Sequence, residues 1–395
     1  MKKIIIPIAL GVSLLSIIIY FAISGPSNKV TIDFTPRNVA QHKTDSIELK
    51  VYVENSGSMN AYMCPGSTLK DAVFSYISDI KKEVYKTELY YINSKIIPYN
   101  GSLDSFIKDL TPQSFAKAGG NTANTDLREM FKMMLAKHKQ NTITIFISDC
   151  ILDIPQNAQH FFGNCQISMK NSFNDAIRKN KNLGVEIAKM ESTFDGFWYC
   201  GSNSEKLFGV KRPYYIWVIG DNSILANINK IKPLYNNEFG FKDYCAFSTA
   251  NDISFDIETK KYVVGHSGQI NIEILADLGR SLQSEKILTS VGQYTLNNAA
   301  QVNVTSIEKI TIPNSSYSHV INLQISNPKT LHDESLNFNY PGLPAWVESS
   351  NDDSGKDIKK NIDKTTGLKY LINGVAQAYE SYKQCGNITF KYKNK

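Results

Sequence analysis

Three short stretches carry side-chain oxygens where a folded chain could gather them around a cation. Glu54-Asn55-Ser56-Gly57-Ser58-Met59 follows an alternating apolar run; Thr125-Asp126-Leu127 opens an amphipathic run after Gly119-Gly120; Ser148-Asp149 closes the apolar run Ile143–Ile147. A hard cation such as Mg2+ takes oxygen ligands in a near-octahedral shell and keeps several waters, and Mn2+ and Ca2+ share the preference for oxygen. The hydroxyls of Ser56, Ser58 and Thr125 offer neutral oxygens for direct contact, while the Glu54 and Asp149 carboxylates can hold coordinated waters and supply negative charge. Few direct carboxylates leave such a metal electron-poor, with a position open to an outside carboxylate. The plainer assignment is that Ser56 and Ser58 cap the helix that follows and Glu54 faces solvent. Thr122 competes with Thr125 for the same position.

The elements that must position these residues alternate between strand and helix. Ile47, Leu49, Val51 and Val53 alternate with polar residues up to Glu54, and Leu69, Val73, Ile77, Ile80 and Val84 recur at helical spacing. Strands are predicted near Thr87–Ile92, Ile96, Ile143–Ile147, Val185–Met190 and Tyr214–Ile219, with helices near Leu103–Leu110, Leu127–Leu135, Phe173–Arg178 and Ile224–Ile231. Ile143–Ile147 is short, β-branched and apolar, as a buried parallel strand should be. This pattern predicts an α/β fold, Rossmann-like, with a mainly parallel sheet covered by helices on both faces. Loops at the carboxyl ends of its strands would then converge on one crevice. From about Phe239 the alternation becomes period two, as in Ile270, Ile272 and Ile274, which predicts a smaller β-rich, sandwich-like domain over 239–395 ending in a helix at Leu368–Tyr382.

The three oxygen-bearing stretches, in this order, resemble the von Willebrand factor A (vWA) family, whose metal-ion-dependent adhesion site opens with Asp-x-Ser-x-Ser after the first strand. The resemblance covers roughly residues 45–235, taken within a domain at 46–238, and implies an Mg2+ (or Mn2+/Ca2+) site built by Glu54, Ser56, Ser58, Thr125 and Asp149. It further implies a binding module rather than an enzyme, one that recognises a protein partner whose acidic residue completes the metal shell. Glu54 stands where the family has Asp, one methylene longer, which points to the alternative of a metal-free scaffold in a cell-envelope assembly. A metal-dependent hydrolase is the third reading, with Asp149 or Glu54 as its only candidate bases. Asp126 reads as a first-turn acid stabilised by the helix dipole, and Asp221 as a structural residue at the same sheet edge.

Lys2 and Lys3 precede an uncharged run, residues 4–23, that breaks at Ser24-Gly25-Pro26. Its length is enough to span a bilayer at about 1.5 Å per residue. Residues 1–26 are therefore expected to be a single-pass N-terminal anchor of the bacterial type, with residues 27–45 a linker and the bulk extracytoplasmic. Cleavage near Ala22-Ile23-Ser24, leaving a secreted or periplasmic chain, is the alternative. The 43 basic and 37 acidic residues give a net charge of +6 with no dense basic block, so no nucleic-acid partner is expected. Cys64, Cys150, Cys165, Cys200, Cys245 and Cys385 follow no zinc spacing, and the histidines show no ligand pairing. Gly265-His266-Ser267-Gly268 lacks the last glycine of a nucleophile elbow and precedes a strand rather than a helix. The aromatic group Phe194, Phe197, Trp198 and Tyr199 is read as core packing or a cover over the metal edge.

Overall fold

The computed structural model describes residues 29–33, 36–38, 46–123, 126–155, 160–257, 261–263, 268–297, 299–312, 315–326, 328 and 333–393. The anchor expected at residues 4–23 lies outside them. Among the described residues no helix is long and apolar enough to cross a membrane. The longest, Phe161–Lys179, carries Lys170, Asp175, Arg178 and Lys179 and buries only one face. The expected transmembrane helix and the membrane localisation are corrected accordingly.

The stretch read as a linker contains a strand, β1 (Lys29–Asp33), paired on both sides in a five-stranded antiparallel sheet. The central sheet has seven strands: β2 (Glu48–Glu54), β3 (Lys86–Ile92), β4 (Ile96–Tyr99), β5 (Thr142–Ser148), β6 (Leu183–Cys200), β7 (Asn203–Asp221) and β8 (Phe241–Ser248). Their spatial order is β4-β3-β2-β5-β7-β6-β8. β2 pairs in parallel with β3 and β5, and the other four ladders are antiparallel. The sheet is thus mixed. Four strands share one direction, and the contiguous parallel part is the trio β3-β2-β5. Every residue of β5 is buried, which its β-branched run allows because both faces are covered.

The helices are α1 (Leu69–Ile80), α2 (Leu103–Asp109), α3 (Pro112–Lys117), α4 (Leu127–Lys137), α5 (Phe161–Lys179) and α6 (Asn222–Ile231). On one face, Val73 and Ile77 of α1 and Ile224 and Ile228 of α6 share a core with Leu49, Val51, Val53 and Ile145. On the other, Phe131 of α4 and Met169 of α5 pack with Tyr52, Phe146 and Trp217. Leu371 and Val375, from the C-terminal helix Leu368–Ala378, join this second core. The α/β layering with helices on both faces is present, and both β8 and that C-terminal helix belong to it. Two carbonyls of the edge strand β8 accept side-chain donors: Tyr244 from Trp346 Nε1 at 3.2 Å and Ala246 from Gln283 Nε2 at 3.0 Å.

The β-rich part is a second body of apolar packing. A four-stranded antiparallel sheet and the five-stranded sheet with β1 share one core, in which Ile272, Ile274 and Leu323 meet Leu336, Phe338 and Ile388.

β6 and β7 are far longer than the segments expected for them. Tyr215 of β7 is the last residue opposite β5, so the hairpin from about 190 to 214 projects beyond the carboxyl edge of the parallel trio. A bulge at Phe194/Gly196 bends it. A Cβ at Gly196 would stand 2.7 Å from the Ala61 Cβ, so only glycine lets the ribbon lie this close to the turn Met59–Met63. Ser192 ties the hairpin to α1, its Oγ accepting from the amides of Thr68 at 2.9 Å and Leu69 at 3.2 Å. These are helix-start donors with no partner inside the helix.

Candidate functional site

β2 and β5 are adjacent and parallel, so their carboxyl ends deliver Glu54 and Asp149 to the same edge. Both carboxylates are buried, at 2 % and 1 % exposure, and Ser56 and Ser58 at 5 % and 7 %. Glu54 does not face solvent: one of its oxygens accepts from the Ser148 hydroxyl, which itself accepts from the Cys150 amide at 2.7 Å. Cys150 is held at φ +54 immediately after Asp149, a backbone state uncommon outside glycine. Its thiol is fully buried, receives the Trp217 Nε1–H at 3.3 Å and is pushed up by burial, which removes it as a nucleophile.

The Ser56 and Ser58 hydroxyls stand 3.3 Å apart. Cis ligands about 2.1 Å from Mg2+ lie roughly 3.0 Å apart, and those about 2.4 Å from Ca2+ roughly 3.4 Å apart. The two serines are hydrogen-bonded to each other, at a separation that two adjacent corners of a hard-cation shell also allow. The Ser56 hydroxyl also accepts from the Met59 amide at 3.3 Å, so it partly caps the short 3-10 turn Met59–Met63, while α1 begins only at Leu69. Asp149 Oδ2 is buried without a hydrogen-bond partner, as are both side-chain polar atoms of Asn55. Burial raises the Asp149 pKa above the usual carboxylate value, partly offset by the Ser58 hydroxyl and the charge of Arg212. Arg212 is fully buried and donates to the carbonyls of Ile362 at 3.2 Å and Lys364 at 3.3 Å.

A cavity of about 320 Å³ opens at this edge, with Glu54, Ser56, Ser58, Thr122, Asp153 and Tyr199 among its walls. The second-loop residue is Thr122 at this cavity; its carbonyl accepts from the Gly57 amide at 3.1 Å, which docks that loop against the serine turn. Thr125 lies outside the described residues. Among the described residues no group of three or more His, Cys, Asp or Glu could hold a metal, so a cation at this edge would rest on hydroxyls with carboxylates behind them. No family model, curated protein or solved structure matches the chain. What the site can do rests on its own geometry.

Two acids expected near a helix or strand end are caps. Asp126 Oδ1 accepts from the Arg128 amide at 3.0 Å, and Asp221 Oδ1 from the Ser223 amide at 2.9 Å. Asp221 sits at the opposite edge from Asp149, because β7 runs antiparallel to β5; the expectation of a shared edge is corrected. Asp153 and Tyr199 are cavity residues that the oxygen-ligand pattern missed. Asp153 accepts from the Gly201 amide at the hairpin tip, a long-range contact with no local signature. All six cysteines are buried and free.

Proposed function

We propose that this chain is a binding module that recognises a protein partner through one divalent cation, Mg2+ or Mn2+ (or Ca2+), at the carboxyl edge of β2 and β5. Ser56 and Ser58 give the direct oxygens, with Thr122 or Thr125 from the second loop. Glu54 and Asp149 hold coordinated waters, and an Asp or Glu of the partner takes the remaining position. The observation that carries this is the pair of serine hydroxyls 3.3 Å apart beside the unpartnered Asp149 Oδ2. The resemblance of the three loops to the vWA adhesion site supports it. The bound chemistry is recognition, not turnover, so the chain is read as no enzyme.

The test is calorimetric titration of the chain with MgCl2 and MnCl2, beside a Ser58→Ala plus Asp149→Ala variant. Saturable heat in the parent and none in the variant is the expected result; identical heats end the reading. The second reading, a metal-free scaffold, draws on the bond between Glu54 and Ser148, which occupies one carboxylate oxygen. Partner capture indifferent to chelator would favour it.

A further inference from the structure

The hairpin of β6 and β7 has two apolar faces where one would suffice. Its inner face buries Phe194, Trp198 and Leu207. Its outer face carries Phe197 at 46 %, Tyr199 at 45 % and Phe208 at 68 % exposure. Phe197 stands opposite Lys206 across the ladder, and the Lys206 ammonium lies between two rings, 5.8 Å from the centroid of Phe197 and 4.9 Å from that of Phe208. Exposed rings cost solvation free energy that a lone chain does not recover, so a contiguous set of them marks a contact surface. This set continues into the cavity: Tyr199 stacks on Phe197 at 5.9 Å and covers Gly57, where a Cβ would meet its ring at 3.1 Å.

We propose that the outer face of this hairpin, formed by Phe197, Tyr199, Lys206 and Phe208, docks a protein segment that carries both carboxylates and large apolar side chains. The proposal rests on the function proposed above, because the segment's leading carboxylate is the group that enters the cavity. Two observations select acidic and apolar chemistry together. The Lys206 ammonium is held by rings, leaving it available to a partner carboxylate, and the rings flanking it offer apolar contact on either side. Tyr199 makes the two halves one surface, so a single extended segment can occupy both.

The experiment uses fluorescence anisotropy of a labelled short peptide alternating Asp and Phe, with an Asp/Ser peptide and a Lys/Phe peptide as controls, in MnCl2 and in EDTA. Phe208→Ser and Lys206→Glu are the variants, since both positions are exposed and outside the cavity. The Asp/Phe peptide should bind in preference to both controls, and each variant should weaken it about tenfold while leaving the heat of metal titration unchanged. Binding that survives EDTA yet falls in the variants keeps the docking surface and removes the metal reading. Metal heat with no peptide binding, or with binding indifferent to both variants, overturns the docking surface alone. Capture of mixed phosphatidylcholine–phosphatidylserine vesicles instead of peptide, lost in Phe208→Ser, also overturns it by assigning the face to lipid.

Discussion

Asp149 and Glu186 are both buried carboxylates of the central sheet, yet their surroundings differ in kind. Glu186, in β6, is fully buried and its Oε1 accepts from Asn229 Nδ2 at 2.7 Å and the Tyr244 hydroxyl at 2.5 Å. Burial pushes its pKa up to about 7, against the lowering effect of those two donors. The Tyr244 hydroxyl also lies 2.6 Å from the Leu282 carbonyl, with one proton for two acceptors. A neutral Glu186 resolves this by donating to Tyr244, which then donates to Leu282. Asp149 follows β5 at the loop edge beside the Ser58 hydroxyl, and each acid keeps one oxygen, Oδ2 of Asp149 and Oε2 of Glu186, that no hydrogen bond reaches. Burial alone does not make an acid functional. What separates the two is place: Glu186 joins Asn229 and Tyr244 inside the packed sheet, whereas Asp149 lies beside Ser58, which lines the cavity.

The sharpest way to break the contrast is at the cation behind Asp149. Arg212→Met should cost about 3 kcal/mol or more in urea denaturation, because two buried carbonyls lose their donor and the nearby carboxylate loses a compensating charge. A loss under about 1 kcal/mol would show that Arg212 is not integral to this edge. Glu186→Gln probes the other acid. Its folded pKa lies above the usual carboxylate value, so the native state holds the extra proton, and stability should fall as pH rises through about 7. The glutamine mimics the neutral acid, so the variant should be on the order of 1–2 kcal/mol more stable than the parent at pH 8.5 and equal to it near pH 4. Coincident Tm–pH curves would contradict the assignment.

Asp149→Asn should act differently without and with metal. Without metal it should change stability by less than about 1 kcal/mol at neutral pH, since relief of the desolvated carboxylate is offset by the compensating charge that buried Arg212 then lacks. With MnCl2 the rise in Tm seen in the parent should disappear. That parental rise should itself weaken as pH falls, because protonation of Asp149, whose pKa burial raises, discharges the site. Gly57→Ala should have the smallest effect, under about 1 kcal/mol, as the Tyr199 ring shifts by a few tenths of an ångström. Metal heat should survive it.

Local pattern was enough to place β2 and β5, because their apolar runs and following polar residues declare both the strand and its end. Adjacency of the two then brings Glu54, Ser56, Ser58 and Asp149 to one edge. The antiparallel flank was less legible. The strand of Tyr214–Ile219 looks alike in either direction, and only its pairing with β5 shows that Asp221 points away from the site. The hairpin was missed for another reason: rings on both faces erase the alternation by which a strand announces itself, and the bulge at Gly196 breaks what remains. Asp153 and Arg212 act through contacts with Gly201, Ile362 and Lys364, which no spacing along the chain encodes.

The capped carbonyls of β8 have a bearing on how copies of this protein meet. An uncovered strand invites another chain to pair with it and so to start a fibre or a swapped dimer. At one margin Trp346 and Gln283 already hold the acceptors such a newcomer would need. At the other, β4 is only four residues long and contains Pro98, which has no amide proton to offer. With both margins blunted, the central sheet offers little purchase to a templating strand.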